Sequence, residues 1–216
     1  MTSPEHSGPG PCPGGRSAAA ARPACYAAAV SQAARHHLFS YAEYLAREQE
    51  TGLKHEWLDG ELFAMAGGSP EHARLIAAVT HALSSLVEPR RCRVYTAELK
   101  IRVAASGLAT YPDVAVVCGP LELDREDANA VVNPTLLVEV LSPSTEAYDR
   151  GEKWAHYRRI PTLAAYVLVD QLRPRVELYE RASVDTFLHR LAGPGERLHL
   201  ACLGADLAVD DLHPPA

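Results

Sequence analysis

The chain has 216 residues, 47% hydrophobic and 22% charged, with a net charge of −6, the composition of a globular chain forming one main domain. An evenly acidic chain argues against the strongly basic class of non-specific duplex binders, although a locally basic cleft or a bound cation can still serve nucleic acid. No apolar run reaches the roughly 18–20 residues of a membrane span. The Ala-rich N-terminus, broken by Arg16, Arg22 and Pro23, has no clean signal-peptide core, so a cytoplasmic protein is expected.

Residues 1–38 are rich in Gly, Pro, Ala and Ser without a sustained period, which predicts a disordered or mis-started tail, with at most a transient helix over 18–34, ahead of a domain spanning 39–216. Ser40-Tyr41-Ala42-Glu43 is a capping box, and a short helix to about Gln49 should end at Thr51-Gly52. Asp59-Gly60 between two strand-like runs predicts a hairpin. Ser69-Pro70-Glu71 opens a helix whose apolar face is Leu75, Ile76, Val79, Leu83 and Leu86, with Pro89 as its stop.

Val94 to Val103 and Tyr111 to Cys118 read as strands, followed by an acidic loop over Leu121 to Asn133. Leu136 to Leu141 is a buried strand, Thr145 to Arg159 a helix, and Ala165 to Val169 a further strand. Arg175 to Glu180 and Thr186 to Leu191 alternate like a hairpin, and the Pro-Pro end should fray. The order predicts a mixed α/β fold with one central sheet flanked by helices. The five cysteines, odd in number, widely spaced and never in C-x-x-C, predict reduced packing thiols.

Two residues break the apolar pattern. Glu139 stands inside Leu-Leu-Val-Glu-Val-Leu, and Asp113 inside Tyr-Pro-Asp-Val-Ala-Val-Val. An unpaired carboxylate in such surroundings costs several kcal/mol, so each must be neutral, paired or on a metal. A carboxylate pair on neighbouring strands suits Mg²⁺ or Mn²⁺, with the Val140 carbonyl as a third oxygen. Asp149, Lys153 and Tyr157 recur at i, i+4 and i+8. Lys153 reads either as half of an exposed ion pair or as a cation aimed at a scissile phosphate. Glu61, just after a turn, and His72, in the first turn of a helix, are weaker candidates. Tyr157 reads first as a packing aromatic with its hydroxyl at the surface. The helix-end arginines Arg150, Arg158 and Arg159 read first as a solvated face, with phosphate contact as the other possibility.

In order, Asp59-Gly60-Glu61, Met65-Ala66-Gly67-Gly68-Ser69 with His72, Tyr111-Pro112-Asp113-Val114, Val138-Glu139-Val140-Leu141-Ser142-Pro143-Ser144-Thr145, Asp149, Lys153, Tyr157 and Tyr166 to Asp170 resemble the Uma-type restriction-endonuclease-like family of the PD-(D/E)XK nuclease superfamily. The resemblance covers about Phe39 to Leu200. It implies a restriction-endonuclease-like core and a Mg²⁺-dependent DNA endonuclease. Asp113 and Glu139 would hold the metal, and Lys153 would replace the lysine that the superfamily carries two residues after the second acid, where this chain has Leu141. Glu61 and His72 match family positions. A homodimer would suit two-strand cutting. The alternative is an inactive nuclease-fold module that binds nucleic acid or a protein partner.

Overall fold

The computed structural model describes residues 37–65, 67–88 and 91–214. The expectations for the tail up to residue 36, and for Pro89 as a helix stop, fall outside the described residues.

Helix α1 (Tyr41–Thr51) has the expected capping box, with Ser40 and Glu43 closing on each other, and ends at Gly52 with φ 67°. Strands β1 (His55–Leu58) and β2 (Glu61–Ala64) form the Asp59-Gly60 hairpin, whose two turn residues both have positive φ, 46° and 100°. Helix α2 (Pro70–Leu86) starts where the Ser69 hydroxyl accepts the His72 N–H.

The run 94–103 is divided between two sheets. Strand β3 (Cys92–Thr96) is followed by a tight turn, in which the Leu99 N–H donates to Thr96, and then by β4 (Lys100–Val103). A short 3₁₀ turn, Ala104–Ser106, leads to β5 (Leu108–Thr110), β6 (Val114–Cys118), β7 (Ala130–Val131) and β8 (Leu136–Leu141).

The expected helix after β8 is present but not uniform. It runs as α3 (Glu146–Tyr148), a π-helical turn over Asp149–Lys153 and α4 (Trp154–Tyr157). Strands β9 (Ala165–Asp170), β10 (Val176–Arg181) and β11 (Phe187–Ala192) follow. Before the chain's end, β12 (Arg197–Leu200), β13 (Ala205–Ala208) and α5 (Val209–Leu212) bury Leu198, Leu200, Leu207, Val209 and Leu212 in the core shared with α2. The expected fraying of the Pro-Pro end concerns residues 215 and 216, which fall outside the described residues.

The central sheet is mixed and six-stranded, in the order β11-β10-β9-β8-β6-β3, with β8 and β9 parallel and the other pairs antiparallel. A second sheet, β2-β1-β5-β4-β7, was not foreseen. It arises because β4 and β5 separate from the strands next to them in sequence. A β12-β13 ribbon completes the set.

All six residues of β8 are buried, so its side-chain alternation sorts two cores. Leu136, Val138 and Val140 pack with α2, the ribbon and α5. Leu137 and Leu141 face Tyr157, Tyr166 and the second sheet. Glu139 belongs to this second face. Among the described residues no helix is long and apolar enough to cross a membrane.

The cysteine expectation needs correction. Cys92 and Cys118 are directly opposed across β3 and β6 and form a disulfide with a Cα–Cα distance of 4.0 Å, while Cys202 is a free thiol. Strand register, not sequence spacing, brings the two together.

Candidate functional site

The β6–β8 register pairs Val114 with Val138 and Ala115 with Leu137. Continued by one residue, it sets Asp113 opposite Glu139, on the face that carries Ala115 and Leu137. Because β6 begins at Val114, the backbone of Val140 has no strand partner on that side. Asp113 and His72 replace one. Asp113 Oδ2 accepts the Val140 N–H at 2.7 Å, and His72 Nε2 lies 2.9 Å from the Val140 carbonyl and 3.5 Å from Asp113 Oδ2. A carbonyl can only accept, so Nε2 carries the proton.

The helix over this face supplies the cation. Trp154 stacks on Tyr166 at 5.4 Å with ring planes 4° apart, and Tyr157 meets Tyr166 edge-on at 5.3 Å, fixing the helix against β9. The π turn sits directly before Trp154 and buries both Asp149 and Lys153. Turns of this kind recur at functional sites. Lys153 Nζ lies 2.8 Å from Glu139 Oε1, 3.5 Å from Asp149 Oδ1 and 4.0 Å from Glu56 Oε2. The exposed ion-pair reading of Lys153 therefore does not hold. Tyr157 is also buried, and its hydroxyl donates to Glu139 Oε1 at 2.8 Å instead of facing solvent.

Glu56, His72, Asp113, Glu139, Val140, Asp149 and Lys153 line a cleft of about 290 Å³ together with Gly67, Gly68, Ser142 and Thr145. Four carboxylates, Glu56, Asp113, Glu139 and Asp149, face the single ammonium of Lys153. Burial pushes the Glu139 carboxyl up to about 8, with Asp113 and Asp149 adding to the shift and Lys153 opposing it. Burial also raises Asp113, against the Val140 N–H, His72 and Lys153. Burial works against the charge of Lys153, but Glu139, Asp149 and Glu56 outweigh it and hold its pKa above the ordinary lysine value. The ammonium is therefore the fixed charge of the cleft, and the carboxylates share it.

Of the sequence candidates, Asp113, Glu139, Val140, His72 and Lys153 come together. Glu61 does not: it is exposed on β2 and outside the cleft lining. Arg150 is held by Glu146 and Glu177, and Arg158 donates to the Asp185 carbonyl, so both have partners within the chain.

Sequence reasoning missed Glu56 and Tyr148. Glu56 is buried on β1, accepts from the Thr110 hydroxyl at 2.5 Å and is also hydrogen-bonded by the Tyr148 hydroxyl. The signal used for Asp113, an acid interrupting an apolar run, is missing here, because Glu56 follows Lys54 and His55.

The donor chemistry fits a hard divalent cation. Asp113 Oδ1 and Glu139 Oε2 carry no hydrogen bond among the described residues, and Mg²⁺ is commonly held by one or two carboxylates plus waters and phosphate. The number of donors is smaller than in an all-protein cage: among the described residues no group of three or more His, Cys, Asp or Glu is spaced to hold a metal. The ammonium of Lys153 stands among these carboxylates instead.

The mixed sheet with flanking helices and two acids facing a helix-borne lysine place the chain in the restriction-endonuclease-like class of nuclease folds. A crystal structure described as a putative nuclease belonging to DUF820 from Anabaena variabilis shares the fold, with a TM-score of 0.64 and 19% identity over 79% of this chain and 95% of that one. The profile of the family Uma2, described as "Putative restriction endonuclease", matches residues 41–210, and the chain belongs to this family. Two uncharacterized proteins of Synechocystis sp., slr1290 and sll1609, are 36% identical over 171 residues and 35% over 144. These alignments cover 79% and 67% of this chain and 89% and 81% of the relatives.

Proposed function

We propose that the cleft is the active site of a metal-dependent endonuclease that hydrolyses DNA phosphodiester bonds. The observation that carries this reading is the pairing of Asp113 and Glu139 on one sheet face, each with an unbonded oxygen, beside a buried lysine. Asp113 and Glu139, with the Val140 carbonyl, would hold Mg²⁺ or Mn²⁺, whose chemistry is to polarise a phosphoryl oxygen and acidify a water. Lys153 supplies a fixed positive charge next to the reacting phosphate, where developing negative charge is greatest. His72 orients Asp113 and the Val140 carbonyl together. The reading places the work in the cytoplasm. A homodimer would present two such clefts to opposite strands.

The test is cleavage of supercoiled plasmid, linear duplex and single-stranded DNA with Mg²⁺ or Mn²⁺. Asp113→Asn and Lys153→Met should each lower the rate about 100-fold or more. Cleavage by both variants at the wild-type rate would sink the reading.

One observation favours the second reading, an inactive module that binds nucleic acid or a protein. Lys153 already neutralises Glu139 at 2.8 Å as an internal ion pair would. A binding module should tolerate Glu139→Gln, and its DNA affinity should not depend on metal.

A further inference from the structure

We propose that Glu56 is a positioning residue: it is the second seat of the Lys153 ammonium, which moves onto it when a cation takes Glu139. The proposal rests on the nuclease reading and adds to it a residue with no assigned role.

Lys153 Nζ touches Glu139 at 2.8 Å, while Glu56 waits at 4.0 Å. A cation on Glu139 and an ammonium on the same carboxylate repel each other, so one must yield. Lys153 is buried, so the ammonium it moves must still be paired inside the protein. The acceptors on offer are Asp149, one helical turn behind it, and Glu56, across the cleft on β1.

Glu56 is built to receive. Thr110 donates to Oε2 and Tyr148 to Oε1, so the carboxylate is held in one orientation. Among the described residues its one cation is Lys153, 4.0 Å away and beyond hydrogen-bond distance, an incomplete pairing for a buried carboxylate. The lysine stem has four rotatable methylenes. A shift of about 1 Å brings Nζ to hydrogen-bond distance of Oε2. Lys153 then stays in the cleft, beside the reacting phosphate, instead of being expelled. The hydroxyl that holds Glu56 comes from Tyr148, one residue before the π turn, so seat and lysine are fixed by the same stretch of helix.

The test is Mn²⁺ affinity by calorimetry in a double-mutant cycle of wild type, Glu56→Gln, Lys153→Met and the double variant. Lys153→Met should bind Mn²⁺ about 10-fold more tightly, because the competing ammonium is gone, and Glu56→Gln about 10-fold more weakly, because the displaced ammonium has no second seat. In the double variant the Glu56→Gln effect should vanish, leaving the affinity of Lys153→Met. The same 10-fold loss in both backgrounds would overturn the proposal and leave the nuclease reading standing, since Glu56 would then act on the metal without the lysine. Absence of Mn²⁺ binding in every protein, wild type included, would overturn both. Where Glu56→Gln does not fold, Tyr148→Phe, which loosens Glu56 without discharging it, takes its place in the cycle with the same coupled pattern expected.

Discussion

Two buried lysines lie in this protein, and their surroundings differ in one respect. Lys100 on β4 sits 2.8 Å from both Glu48 and Asp127, with the Tyr44 ring 4.9 Å away. Every carboxylate oxygen there has a donor. The His55 N–H and Tyr111 hydroxyl serve Glu48, and the Asn129 N–H and Tyr41 hydroxyl serve Asp127. Burial alone would raise Asp127, but hydrogen bonds from Lys100 and Asn129 and the charge of Lys100 hold it below the usual carboxylate range.

Around Lys153 the balance is reversed. Four carboxylates share one ammonium, Asp113 Oδ1 and Glu139 Oε2 carry no hydrogen bond among the described residues, and Asp113 and Glu139 are both raised. A buried ion cluster is therefore not in itself a sign of function. A surplus of anion facing an open cleft is the more telling feature. Tyr111 lines the cavities of both clusters, so the contrast holds between near neighbours.

Lys100→Met attacks the satisfied cluster and should have the largest effect on stability. It leaves the buried Asp127 and the half-buried Glu48 without their cation and should cost about 3 kcal/mol in urea unfolding. Lys153→Met should cost clearly less, because burial already biases Glu139 toward holding a proton. Equal losses would erase the contrast.

Acid and base should also act on the two clusters in opposite directions in metal-free protein. The folded pKa of Glu139, about 8, lies above its ordinary 4.5. The stability it contributes is complete below about 4.5 and is lost as pH rises through about 8. The folded pKa of Asp127 lies below its ordinary 3.8. Its contribution is present above 3.8 and is lost as pH falls through the lower folded value. Thermal midpoints from pH 3 to 9 should show Glu139→Gln removing the decline toward neutral and basic pH, and Asp127→Asn removing part of the acid decline. Unchanged slopes would contradict the assignment.

The smallest effect is expected at Glu61. Glu61→Gln changes an exposed residue outside the cleft, so stability should move by less than about 0.5 kcal/mol and cleavage should not change. A fall in cleavage would return Glu61 to the site.

Legibility followed from how far each feature departs from a local pattern. Asp113 and Glu139 stood out because they interrupt apolar strands. The capping box, the Asp-Gly hairpin and the start of α2 are local, and they formed as read. Glu56 was hidden in Lys-His-Glu-Trp, a run already polar on one side, and its partners come from residues 110 and 148. The Lys100 cluster draws on residues 48, 100 and 127, a convergence only the tertiary fold creates. The π turn changes backbone hydrogen bonding, which no side-chain period announces, so the spacing of Asp149 and Lys153 left Lys153 open between half of an exposed pair and a cation of the site. Cys92 and Cys118 are 26 residues apart, and only the β3–β6 register makes them neighbours.

The most direct measurement compares Mn²⁺ binding by calorimetry in wild type, Asp113→Asn and Asp127→Asn. The account predicts saturable binding in wild type, retained in Asp127→Asn and lost in Asp113→Asn with its fold intact. Binding retained in Asp113→Asn, or no binding in wild type, would contradict the claim that the unsatisfied carboxylates around Lys153 form a cation site.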